Sequence, residues 1–228
     1  MGELAELERE LSGLSHSDDP LKRIQLFSER LKNTSERIRV FNADGAFVRP
    51  PISNEDARAL GFDRPEDAFT LLQGDVVSTE CAFFLGERVT GCPKYIALNS
   101  SCDLVPERRR YASLLRIVEV RKDDQDLKAK FDLLLRFKRR ESMYLPALPS
   151  DGGTVALNVV QFDGVCQIGS GDLLLARRIA SLSLVGWRMF ACFTKVVLAR
   201  AGEREVQMRR AIERHPVQTA FDLPAAPD

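Results

Sequence analysis

Two clusters of arginine, each with a tyrosine close by in the sequence, carry the clearest chemical signal in this chain. The predicted binding residues in and beside them are Arg108, Arg109, Arg110, Arg139, Arg140 and Tyr144. A guanidinium group makes paired hydrogen bonds to phosphate, and an aromatic ring stacks on a base. Together on one surface, these residues would suit single-stranded RNA. Acidic neighbours such as Glu107 and Glu141 leave a second interpretation open, in which the arginines form solvated ion pairs.

The polar loop before the first cluster is the other candidate site. Ser100 and Asp103 lie between two predicted strands, where Asp103 could accept hydrogen bonds from a small ligand. Cys102 would need a histidine base to act as a nucleophile. The only histidines, His16 and His215, fall in predicted linkers, and no residue spacing typical of a metal site is present. We therefore expect no metal, no cofactor and no cysteine nucleophile.

Charge and cysteine content narrow the class of protein. Lys and Arg total 33, as do Asp and Glu, so binding to a charged ligand must depend on local clusters. Five widely spaced cysteines without a C-x-x-C pair indicate reduced thiols. The longest apolar run, 184–199, spans about 16 residues and contains Arg188 and Lys195, which is short for a membrane span. We expect a soluble, cytoplasmic, bacterial-type protein with no membrane contact.

Three strand-like segments within 74–120 form the part of the chain around which we expect the rest to fold. Glycines or Asn/Ser/Asp clusters separate them. Further strand signals at 142–145 and 154–167 follow a helix predicted near 122–140. The pattern predicts an α+β protein in which a small bent β-barrel occupies 73–170.

Helices are expected on both sides of this barrel. Residues 1–72 are predicted to form a helical N-terminal extension, and 171–228 are predicted to form C-terminal helices and a polar tail. The expected elements are helices at Glu3–Leu14, Pro20–Leu31, Leu173–Ala180 and Leu184–Arg200, and a hairpin within Ile38–Pro51.

Two short motifs resemble a known family. The segment Gly74-Asp75-Val76-Val77, a glycine-containing loop and Pro93-Lys94-Tyr95-Ile96-Ala97-Leu98-Asn99-Ser100 resemble the opening of the PemK/MazF toxin endoribonucleases. The likeness extends over about 45 residues. It implies an SH3-like barrel, usually dimeric, that cleaves single-stranded RNA without metal by means of an Arg and a Ser or Thr.

The catalytic pair of that family is not matched. Its Arg precedes the proline of the second motif, where this chain has Gly91-Cys92. Its Ser or Thr ends the next strand, where this chain reads Leu115-Arg116-Ile117-Val118. A ribonuclease would need other groups, such as Arg88, Ser100 or Arg116. The fold can therefore be shared without the activity.

The sequence predicts a non-catalytic binding or accessory protein that engages a protein partner. A bacterial toxin or phage-defence system is the expected setting. The apolar helix predicted at 184–200 is the expected docking surface, for a partner or for a second copy of the chain. The alternative is a PemK/MazF-like endoribonuclease that acts on single-stranded RNA through the loop from Ser100 to Arg110. A sensor that binds a small ligand at Asp103 is the third possibility.

Overall fold

The structure is a computed structural model that describes residues 3–14, 19–51, 55, 59, 71–90, 94–105, 108–198 and 207–211. The chain divides into two units, Met1–Leu198 and Ala199–Asp228. All strands and helices named below belong to the first unit, and residues 207–211 of the second are helical. Several positions discussed above lie outside the described residues: His16, Gly91, Cys92, Glu107 and His215.

Three helices begin the first unit: α1 (Glu3–Ser12), α2 (Pro20–Arg30) and α3 (Thr34–Phe41). Asp19 caps α2 by accepting hydrogen bonds from two backbone N–H groups, and Pro20 occupies the first turn, as predicted. The hairpin expected at 38–51 is wrong. The Asn33 side chain accepts a hydrogen bond from the N–H of Glu36 and starts α3 in its place.

Among the described residues, nine strands form one antiparallel sheet. They are β1 (Val48–Arg49), β2 (Val76–Ser78), β3 (Phe83–Phe84), β4 (Glu87–Arg88), β5 (Lys94–Ala97), β6 (Tyr111–Arg121), β7 (Ser142–Pro146), β8 (Val155–Gly169) and β9 (Arg177–Leu182). Their order is β1-β9-β2-β5-β6-β8-β3-β4, and β7 also pairs with β8. Val76 pairs with Ile96, which confirms that the two segments lie in one sheet.

The fold is mixed, with helices and an open antiparallel sheet, so the predicted closed barrel is wrong. β1 and β4 end the strand order, and in the described chain they do not pair with each other. β9 also replaces part of the helix expected at Leu173–Ala180. The backbone becomes extended at Ala176, and β9 then pairs with both β1 and β2. The leucine run thus stays helical in α5 (Ser170–Leu175), and strand pairing ends the helix after it.

Three further helices follow the central strands: α4 (Leu127–Leu135), α5 (Ser170–Leu175) and α6 (Leu184–Leu198). Two 3-10 turns, Ser101–Leu104 and Pro149–Asp151, complete the described elements of the first unit. None of the described helices combines the length and hydrophobicity needed to cross a membrane.

Two apolar cores lie on opposite sides of the sheet. The larger packs α1, α2, α3, α4 and α6 against one face, and the smaller lies on the other face and includes Leu104 and Leu173. The long strands β6 and β8 serve both, since Leu114 belongs to the smaller core and Leu115 to the larger. The pairing of β6 with β8 skips Phe162–Gly164 of β8. This bulge separates the part of the two strands that contributes to the smaller core from the part that contributes to the larger core.

Candidate binding surface

The first arginine cluster lies in a loop that is hydrogen-bonded to the 3-10 turn before it. Arg108 Nη1 donates to the carbonyl oxygen of Cys102 at 2.9 Å, and Arg109 Nε donates to Asp103 Oδ1 at 3.1 Å. The arginines at 108, 109 and 110 are all exposed. Asp103, predicted to receive a small ligand, is instead paired with an arginine of its own loop.

The start of α5 fixes the end of this loop. Ser170 N donates to the carbonyl oxygen of Arg110 at 3.0 Å, and Ser170 Oγ donates to the carbonyl oxygen of Arg109 at 2.6 Å. Tyr111 then begins β6 opposite Gly169 of β8. Backbone bonds therefore hold Arg110 next to the sheet. Ser100 is exposed at the N-cap of the preceding turn.

A row of side chains crosses four strands on one face of the sheet. Arg88 pairs with Phe83, Phe83 with Gln167, and Gln167 with Ser113. Directly paired residues of neighbouring strands point to the same face, and three strand spacings total about 14 Å. We call Arg88, Phe83, Gln167 and Ser113 the exposed row. The helices cover this face at Leu115 but not at the row.

Tyr111 extends the exposed row along the strands. It lies two residues from Ser113, so its side chain points to the same face. Tyr111 is 68% exposed, and Phe83 is 48% exposed. Two strand spacings and two residues along the strand place their Cα atoms about 12 Å apart. Two accessible rings thus share a face with Arg88.

Tyr144, the predicted stacking residue, is not available for this purpose. Its ring is buried in the larger core against Phe41, Phe47 and Phe131, and its hydroxyl donates a hydrogen bond to Asn42. Burial raises the pKa of its phenol well above the ordinary value. Tyr144 is therefore a core residue, and the accessible tyrosine near the arginines is Tyr111.

The second arginine cluster approaches the same strand at a different point. Arg139 and Arg140 are exposed in the segment that leads into β7. β7 meets β8 at the Ser142–Gln161 pair, whereas the exposed row crosses β8 at Gln167. Both clusters border β8, and only the first adjoins the exposed row.

The hairpin that supplies Phe83 and Arg88 has an unusual tip. Leu85 has φ +52°, and its side chain is 88% exposed. A left-handed backbone is rare for a residue with a branched side chain, and Gly86 beside it also has a positive φ. The hairpin therefore holds a large apolar side chain in solvent at the edge of the candidate surface.

The structure describes four of the five cysteines. The four described cysteines are free thiols, and burial raises the pKa of Cys192 to about 11, which disfavours its thiolate. Cys102 is exposed, but both histidines lie outside the described residues. Within the described ranges, no three His, Cys, Asp or Glu side chains are placed to hold a metal ion.

The helix predicted to dock a partner is covered largely by its own chain. Val185, Met189, Phe190 and Phe193 of α6 are buried in the larger core. Arg188 pairs with Glu8 of α1 at 2.5 Å. Leu184, Trp187 and Leu198 are the large apolar side chains that α6 exposes within the described chain.

Phe83, Gln167 and Ser113 were missed by sequence reasoning, which named Arg88 only as a possible catalytic group. The signal that was present is the alternation Val165-Cys166-Gln167-Ile168, in which every second residue is buried. Alternation identifies two faces, but it does not say which of them the helices leave open. Comparison with protein-family models, with curated proteins and with solved structures gave no match.

Proposed function

We propose that this chain is a non-catalytic binding protein and that single-stranded RNA is the ligand of the exposed row and Tyr111. The observation that carries the proposal is the shared face: Phe83 and Tyr111 are accessible on the side of the sheet that bears Arg88. The loop at 108–110 adjoins Tyr111 and adds three exposed guanidinium groups.

The chemistry of this face fits bases and phosphates together. Stacking of a base on an aromatic ring contributes about 1–3 kcal/mol and tolerates any base. The arginines would contact the backbone phosphates on either side. Gln167 and Ser113 lie between the rings and can hydrogen-bond to base edges.

The positions of the arginines support binding over cleavage. The guanidinium of Arg116 lies 5.5 Å from the ring centroid of Phe84, and its Nε is buried without a hydrogen-bond partner. Phe84 follows Phe83 in β3, so their side chains point to opposite faces. Arg116 therefore lies behind the face that carries Arg88. These two candidate catalytic arginines do not share a surface.

Fluorescence anisotropy with a short labelled single-stranded RNA tests the proposal. Phe83→Ser and Tyr111→Ser should each weaken binding by about 5- to 150-fold, which corresponds to the loss of one stacked base. Arg110→Ala should lower the slope of log K against log salt by about 0.7, the value for one phosphate contact on a single strand.

Arg121→Ala is the matched control, because Arg121 is exposed at the other end of β6 and pairs with Asp123. It should leave RNA affinity unchanged. Equal affinity of the Phe83, Tyr111 and Arg121 variants would refute the proposed surface. Release of RNA fragments in the presence of a chelator would favour the PemK/MazF-like endoribonuclease instead.

A protein partner is the second candidate, favoured by the exposed leucine at the hairpin tip. An aliphatic side chain held in solvent by a left-handed backbone suits an apolar pocket on a protein better than it suits RNA. Leu85→Ser should then weaken partner binding and leave RNA affinity unchanged. We also retain kinship with the PemK/MazF family as a proposal, supported by the β2–β5 pairing; a toxin or phage-defence setting follows from it.

A further inference from the structure

A cavity lies between the segment before β2, the Ser101–Leu104 turn and the start of α6. Its volume is about 230 Å³, and its walls include Gln73, Asp75, Ser101, Ser181 and Trp187. Pockets for drug-sized ligands measure about 300–1,000 Å³, so an occupant must be smaller, of the size of one or two fused rings.

The carboxylate of Asp75 supplies a buried acceptor in this cavity. Its Oδ2 accepts a hydrogen bond from Leu72 N at 2.9 Å and lies 2.9 Å from Arg178 Nη2, while its Oδ1 accepts from Ser181 Oγ at 2.5 Å. A carboxylate has about four acceptor positions, so Oδ1 can accept one more N–H. Arg178 balances the charge of Asp75, which favours a neutral ligand over an ion.

An aromatic wall and a hydroxyl group complete the site. Trp187 Nε1 donates to Gln73 Oε1 at 3.1 Å, which fixes the orientation of the indole ring. Ser101 Oγ accepts from Gln73 N at 2.9 Å, so its own proton can be donated to a ligand. Gln73 Nε2 donates to the carbonyl oxygen of Leu98 at 2.9 Å and anchors the side chain that holds the indole.

We propose that this cavity binds a single nucleobase. The ring would stack on Trp187, an N–H on its edge would donate to Asp75 Oδ1, and an acceptor on the same edge would receive the Ser101 hydroxyl. Every nucleobase carries a donor and an acceptor side by side. The base can come from a free nucleoside or from an RNA strand. None of the residues that line the cavity belongs to the exposed row, and the inference does not depend on RNA binding there.

Trp187 is the only tryptophan of the chain, so its fluorescence reports on the cavity. We expect at least one of the four ribonucleosides to quench it saturably in the full-length protein. Ser101→Ala should weaken that binding by about fivefold, the effect of one hydrogen bond. Ser142→Ala is the control, because this serine lies in β7 and does not line the cavity. It should bind like the unaltered protein.

A second arm distinguishes the two sources of the base. Quenching by nucleosides but not by a short RNA identifies a free ligand, and tighter quenching by the RNA identifies a base of a bound strand. Absence of quenching with all four nucleosides and with the RNA would overturn the inference, as would equal quenching in the Ser101→Ala variant. Neither result bears on the anisotropy measured with the Phe83 and Tyr111 variants.

Discussion

Removing the carboxylate of Asp151 should destabilise the first unit by about 3–5 kcal/mol, because it would leave the ammonium group of Lys94 buried beside a neutral side chain. The two groups form an ion pair in which the Lys94 side chain is 7% exposed and that of Asp151 is 1% exposed. Such a pair contributes little net stability when complete. Its loss is costly because one desolvated charge remains.

The surroundings of the pair explain why this cost cannot be avoided by relaxation. Asp151 Oδ2 accepts hydrogen bonds from Leu148 N at 2.7 Å and from Asn158 Nδ2 at 2.9 Å, so its position is fixed. Burial disfavours the charged form of Lys94, but its hydrogen bonds to Asp151 and Glu119 outweigh this and raise its pKa. Lys94 therefore stays charged at neutral pH. Glu119, 2.5 Å away and 43% exposed, is a weaker partner.

Urea unfolding at neutral pH, followed by tryptophan fluorescence, measures the effect. For a slope of about 3 kcal/mol per M, Asp151→Asn should lower the midpoint by about 1 to 1.7 M. Adding Lys94→Met removes the stranded charge and should restore most of the loss, since apolar replacements of buried pairs are often neutral. The double variant should then be more stable than the sum of the two single-substitution effects predicts, as expected for two residues that depend on each other.

A midpoint within about 0.3 M of the unaltered protein for Asp151→Asn would refute this reasoning, because it would mean that Glu119 alone compensates Lys94. A double variant less stable than Asp151→Asn would refute it as well. That result would assign the stability to the shape of the side chains instead of their charges.

Three further outcomes are expected. Gly186→Ala should lower the free energy of unfolding in urea by several kcal/mol, because its Cβ would lie 2.4 Å from the carbonyl oxygen of Phe47. Gly171→Ala is the control and should be neutral, since its Cβ would have nothing within 4 Å. Equal stability of the two variants would contradict this prediction. Leu85→Gly should raise the thermal midpoint by relieving left-handed strain of about 1 kcal/mol, and a lower midpoint would argue against strain. A hydrogen bond from a threonine and an arginine ion pair lower the pKa of Asp132, so Asp132→Asn should be less stable at neutral pH. That difference should vanish as the pH falls below the ordinary value of 3.8, where Asp132 becomes protonated too; a gap that persists in acid would contradict the assignment.

Local signals identified most of the regular elements. Asp19 and Pro20 are typical of a helix start and stand where the predicted helix Pro20–Leu31 begins, and the apolar run at 184–200 was predicted to be helical, as α6 is. The pairing of Val76 with Ile96 agrees with two strand-like segments that lie close in sequence, with the β3–β4 hairpin between them. These features depend on neighbours in sequence, which is why a single chain reveals them.

Features set by distant contacts were not predictable. β9 looks helical because its preceding leucines favour a helix, yet its partners β1 and β2 lie more than a hundred residues earlier. The same limit applies to the candidate surface. The sequence places a tyrosine near each arginine cluster, Tyr111 directly after Arg110 and Tyr144 four residues after Arg140. Only tertiary packing buries Tyr144 and leaves Tyr111 accessible.

An open sheet has two outer strands, and each could recruit a strand from another molecule. In the described strand order both are pairs of residues, Val48–Arg49 and Glu87–Arg88, with charged side chains, while β7 lies outside that order and pairs with β8 alone among the described strands. Because β1 and β4 are so short, they offer few free backbone donors, and their charged side chains disfavour pairing with a strand of a second copy. At β1 and β4 the sheet therefore resists the addition of a strand without being closed, next to the face that carries Arg88.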